Sequence, residues 1–207
     1  MDLTVLGVFV VAALVVAAAP GPTVLQIFSH SMNPDPLRPA SLIAGSIFAN
    51  TVMVLVTVLG VSALIVASQS AFNLLRWFGS AYLLYLGVCY WRMRTESLGV
   101  PRRFIAKPYS RLFLQGALTS ITNPKGLVFY VAFLPQFVSP EVGAHMQLAL
   151  LGAIYIGLCL VVETGYALAG RVFSGLFMTA GMVRLKNRIV GTVLFGAGLS
   201  LLRYERA

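Results

Sequence analysis

Residues 112–138 read LFLQGALTSITNPKGLVFYVAFLPQFV. The run is apolar almost throughout, yet its centre holds Asn123, Pro124 and Lys125. Lys125 is the fourteenth of these 27 residues, so a membrane-spanning reading puts it near the bilayer midplane. Asn is a strong helix N-cap, and Pro suits the first helical position. Asn123-Pro124 is therefore expected to end one helical segment and begin another inside the membrane. The free N–H groups and dipole of the new segment direct positive charge at the break, and the Lys125 ammonium adds a full one. An isolated lysine at that depth costs about 2.5–3.5 kcal/mol on insertion scales. An acidic side chain, water in a cavity or an anionic ligand must offset it.

Composition agrees with a membrane setting. Of 207 residues, 58% are hydrophobic and only 10% are charged, far below the share of a soluble domain. The net charge of +9 does not point to nucleic acid, because the basic residues sit between apolar runs and no basic-aromatic groove pattern occurs. Cys89 and Cys159 lie in apolar runs without metal-like spacing and read as small buried hydrophobes. His30 and His145 fall near run ends with no partner one turn on, so neither a metal nor another cofactor is expected. Embedded enzyme chemistry lacks its parts: no HExxH, no mid-span His and no paired carboxylates. The N-terminal stretch ends in VAAA, like a signal peptide, but carries Asp2, lacks an early Lys or Arg, and would be cut before Pro20. It reads as a retained helix.

Apolar runs at about 3–28, 40–67, 71–91, 112–138, 146–170 and 188–203 predict six transmembrane helices in an all-α membrane protein. With the N-terminus outside, the cytoplasmic loops hold eleven Lys and Arg and the outer side three, with Lys125 left in the membrane. Both termini are therefore expected outside. The chain is expected to form a single transmembrane domain, 1–207, in two halves of three helices, about 1–94 and 108–207, joined by a basic cytoplasmic loop. Three crossings per half make the halves antiparallel. GVCYWRMR (87–94) echoes GLSLLRYE (198–205), with Gly87 and Arg92 matching Gly198 and Arg203 at one offset. Two inverted three-helix repeats with interrupted helices 1 and 4 follow as the expected architecture.

The first half carries its own break at Pro20, Gly21 and Pro22, within AAAPGPTVLQIF. Gly21 can cap there and Pro22 can open the next segment; a simple kink is the alternative. Interrupted helices at matching places in two halves point to a transport site. Glu163, in LCLVVETGYALAG, lies roughly 10 Å into the membrane from Arg171. It either pairs with Lys125 or carries protons. Asn50, in IFANTVMV, is placed to hydrogen-bond a neighbouring helix or line a pathway. Gln136, in FLPQFV, is a candidate cap or gate at the outer surface. Trp77, Tyr90 and Trp91 flank the third run as interface anchors, with Tyr82 and Tyr85 further in.

AAPGPTVL, LLRWFGSAYLLYLGVCYWR and FLQGALTSITNPKGLVFYVAFLPQFV resemble, in order and spacing, the LysE/RhtB family of bacterial amino-acid exporters. The likeness runs over nearly the whole chain, and NPK followed by FLPQF is its most specific part. It implies a multi-pass protein of the bacterial inner membrane that expels amino acids or close derivatives, driven by the proton gradient. The family pattern falls on Pro20, Gly21, Pro22, Asn123, Pro124 and Lys125, which become the candidate substrate-binding residues. Many relatives look to carry an acid where this chain has Asn50. If that acid carries protons, another group such as Glu163 must do so here. Expected partners are an amino-acid substrate, protons and membrane lipids; homo-oligomer formation stays open. The rival reading is a structural or partner-binding membrane protein without transport, which the mid-membrane Lys125 opposes.

Overall fold

The computed structural model describes residues 3–19, 21–67, 107–138 and 143–172, with positions 77, 81, 84–85, 88–89, 91–92, 188, 192 and 195–196. Helix α1 spans Leu3–Ala18 and α2 spans Pro22–Ser31. The chain breaks between them, and their axes differ by 59°. Gly21 is extended at the break (φ −125°, ψ 176°), and Pro22 opens α2 where its missing N–H costs nothing. A short polar turn follows, in which the Asp35 carboxylate accepts the Leu37 N–H and starts α3, Leu37–Ala67.

Helix α4 spans Tyr109–Ile121 and α5 spans Pro124–Val128. A π-helical turn over Phe129–Phe133 and a 3-10 turn over Leu134–Phe137 complete the segment. Helix α6, Ala144–Val172, is unbroken. Among the described residues every regular element is helical. Helix α3 (over Leu37–Gly60) and α6 are long and apolar enough to cross a membrane, and the bent α1–α2 pair is a third candidate. The expected runs 71–91 and 188–203, most of the basic loop after residue 92, and with them the repeat relation between the halves, lie outside the described residues. One contact is described there: the Trp91 indole N–H lies 3.2 Å from both the Arg188 carbonyl and the Thr192 hydroxyl, and its ring stacks on Phe195. The end of the third run therefore meets the start of the sixth.

Helix α3 packs most extensively against α4. The reason is two glycines: a methyl group on Gly45 would run into the Phe113 carbonyl, and one on Gly116 into the Leu42 carbonyl. Each helix is hollowed where the other's backbone passes, the usual device where no hydrophobic drive brings membrane helices together. The main core lies elsewhere, among α1, α6 and the turns after α5. Phe9 touches Phe129, Phe133 and Phe137, and Phe129 stacks on Tyr155 with centroids 3.6 Å apart.

Candidate substrate site

The break in the fourth run is built as its sequence predicts. Asn123 is extended, and its side-chain oxygen accepts the Lys125 N–H at 3.1 Å. Pro124 opens α5, and the Leu127 N–H returns to the Asn123 carbonyl. The helix lasts five residues before it widens into the π turn.

The lysine does not point into lipid. Its Nζ donates to the carbonyls of Val16 and Ala19, each at 2.9 Å. These belong to the C-terminus of α1, where the dipole is negative and backbone donors run out; Val16 also accepts the Ala19 N–H at 3.3 Å. The Tyr166 hydroxyl donates to a third carbonyl there, Ala18, at 3.0 Å. Side chains from the second half thus cap the broken helix of the first. Gly21 lies against the same groups: a methyl at Gly21 would stand 3.5 Å from the Asn123 amide nitrogen and 3.6 Å from Lys125 Nζ.

Glu163, on α6, is 5% exposed. Its Oε1 accepts a 2.6 Å hydrogen bond from the Ser46 hydroxyl of α3, and its Oε2 is buried without a hydrogen-bond partner. Ser46 in turn accepts from Ser120 of α4 at 2.8 Å, and Ser120 pairs with Thr23 of α2 at 3.4 Å. Lys125 lines the same cavity as Glu163. Ser46 holds the carboxyl, while the lysine holds the end of α1.

Both breaks and the carboxyl meet at one small cavity. Its lining includes Gly21, Asn50, Asn123, Lys125 and Glu163, together with Thr23, Ser46 and Ser120. Its volume is about 30 Å³, room for one or two water molecules and not for an amino acid. The site is therefore narrow in this structure. Pro22 and Pro124 open the helices that border it. Pro20 lies outside the described residues. Gln136 is buried in the 3-10 turn and does not line the cavity. Cys159, read from sequence as a plain buried hydrophobe, is buried and lines the site beside Tyr155. Among the described residues no three His, Cys, Asp or Glu side chains gather as a metal site.

Sequence reasoning missed Thr23, Ser46 and Ser120. One signal was available: Ser46 stands one helical turn before Asn50 and so shares a helix face with a residue already singled out.

Residues 14–205 match the family model described as LysE type translocator. The chain belongs to this family. An uncharacterized membrane protein of Vibrio cholerae is 27% identical over 201 residues, covering 97% of this chain and 98% of that one. The homoserine/homoserine lactone efflux protein of Salmonella typhi is 28% identical over 200 residues, covering 95% and 96%. The leucine efflux protein of Salmonella choleraesuis is 24% identical over 197 residues, covering 91% and 90%. No solved structure matches the chain. As a LysE type translocator it is a membrane protein of a transport family, and the likeness recognised in its PGP and NPK segments is sustained over nearly its full length.

Proposed function

We propose that this translocator exports amino acids or close derivatives from the cytoplasm across the bacterial inner membrane, driven by the proton gradient, with both termini outside. One observation carries the reading: two helix breaks and a buried carboxyl, far apart in sequence, line a single polar cavity within an apolar helical body. Such a cavity offers both signs of charge to a zwitterion. The substrate carboxylate goes to Lys125, at the start of α5. Its ammonium goes to the carbonyls at the end of α1, the groups that hold Lys125 in this structure. The names of the relatives, leucine and homoserine efflux proteins, favour a small neutral side chain. Rocking of one three-helix half against the other widens the cavity to one face at a time, and proton entry at Glu163 resets the cycle.

Efflux of a panel of radiolabelled amino acids from cells expressing the protein tests this. Faster efflux of some members, abolished by Lys125→Ala at normal protein level, is the expected result. Unchanged efflux in that variant removes Lys125 from the site, and no efflux of any member removes the exporter reading.

A further inference from the structure

Two polar clusters each join helices of both halves. The inner one runs Glu163–Ser46–Ser120–Thr23, through α6, α3, α4 and α2, with steps of 2.6, 2.8 and 3.4 Å. Ser46, Ser120 and Thr23 are all buried. The outer one starts at the exposed Lys107, whose ammonium donates to Gln115 at 3.0 Å. The Gln26 side-chain oxygen then accepts from Gln115 at 3.1 Å and from Thr119 at 3.3 Å. The clusters are adjacent along the chain: Thr119 precedes Ser120 on α4, and Gln26 follows Thr23 by three residues on α2.

We propose that the hydroxyls of Ser46, Ser120 and Thr23 form a proton relay between Glu163 and the polar track that surfaces at Lys107. The proposal rests on the proton-driven export argued above and names the route its proton takes. Buried hydroxyls in apolar helices normally return their hydrogen to the backbone one turn back. The buried Ser31 and Thr57 do so here. Ser46 and Ser120 instead donate across helix boundaries toward a carboxyl.

The chemistry balances as a concerted shift. A hydronium at the Thr23 end gives one proton to the Thr23 hydroxyl and leaves water. Thr23 passes its own hydrogen to Ser120, Ser120 to Ser46, and Ser46 to Glu163 Oε1. Each O–H bond broken is matched by one formed, and the carboxylate becomes a carboxylic acid. Afterwards every hydroxyl donates away from Glu163, so the chain is set to return the proton along the same path. Oε2, buried without a hydrogen-bond partner at the cavity, gives the carboxyl a second face for exchange with the transport pathway. The titratable groups facing Glu163 are Lys125 of α5, Tyr130 of the π turn, and Tyr155 and Cys159 of its own helix. Helices α2, α3 and α4 present Thr23, Ser46, Asn50 and Ser120, none of which titrates.

Purified protein in liposomes, given labelled leucine, labelled homoserine and then the remaining amino acids, separates the possibilities. Exchange at equal pH reads substrate handling, and transport under an imposed pH gradient reads coupling. Ser46→Ala and Ser120→Ala are expected to lower the ratio of gradient-driven transport to exchange by about tenfold or more, whatever exchange itself loses, with Ser120→Thr restoring that ratio. Equal loss in both assays makes the hydroxyls structural and overturns the relay. Gradient-driven transport unchanged in both alanine variants overturns it as well. Wild-type exchange without any response to the pH gradient removes proton coupling and the relay together. No transport of any amino acid removes the exporter reading beneath them.

Discussion

Lys125 Nζ lies 2.9 Å from the carbonyl oxygen of Ala19, the residue that follows α1. The ammonium supplies what the break in the first run removes, a donor for orphaned carbonyls, and the break supplies what a mid-membrane cation needs. Each irregularity satisfies the other across the two halves. Lys125→Met keeps length and removes the charge, leaving the Ala19 carbonyl short of a donor and the Val16 carbonyl with the Ala19 N–H alone. Charge-assisted hydrogen bonds contribute roughly 1.5–3 kcal/mol. The unfolding temperature of the detergent-purified variant is therefore expected several degrees below wild type. An unchanged temperature would show that the cap contributes nothing.

Gly21 separates a transport role for the first break from a plain kink. Its backbone is extended, a conformation open to alanine, and an added methyl would meet its neighbours at ordinary contact distances of 3.5–3.7 Å. Gly21→Ala is thus expected to fold and to hold its thermal stability. The same methyl takes space beside Asn123 and Lys125 in a cavity of about 30 Å³. Efflux should fall clearly at equal protein level, with the larger amino acids of the panel most affected. Wild-type efflux in this variant would return the break to the status of a kink.

The α3–α4 contact makes a contrasting prediction. At Gly45 and Gly116 a new methyl meets backbone, which cannot rotate aside. Gly116→Ala has to push the helices apart, and overpacking of this kind costs about 1–3 kcal/mol or more. Gly7 has open space around its would-be methyl, so Gly7→Ala serves as the matched control. Protein level in the membrane and unfolding temperature should drop for Gly116→Ala and stay at wild type for Gly7→Ala.

These positions also show what the sequence made legible. Asn123-Pro124 and Gly21-Pro22 announce helix starts through local chemistry, a cap and a locked φ, and both starts are where that chemistry puts them. Glu163 is conspicuous because a carboxyl in an apolar run is costly. The partner of Lys125 carried no such mark. Its acceptors are backbone carbonyls of Val16 and Ala19, whose side chains say nothing about them. The serine of Glu163 was hidden for a related reason: lone hydroxyls in apolar helices usually bond their own backbone, so Ser46 looked ordinary. Proximity across 117 residues of sequence, as between Ser46 and Glu163, is a property of packing and not of local pattern.

Glu163→Gln isolates the proton from the hydrogen bond. Glutamine has nearly the same shape, and its side-chain oxygen still accepts from Ser46. The buried position loses a group that is costly to ionise, so stability should hold. Glu163→Ala instead strands the Ser46 hydroxyl, a loss of roughly 1–3 kcal/mol that the unfolding temperature should register. The amide can neither take nor release a proton at physiological pH. In the proton-driven cycle proposed above, wild-type efflux runs faster when the outside is acidified. The Glu163→Gln variant should run at one rate with or without that gradient, while amino-acid exchange at equal pH persists. A Gln variant that still accelerates on outside acidification would move the proton site to another residue. One that loses exchange as well would place the carboxyl in substrate binding itself.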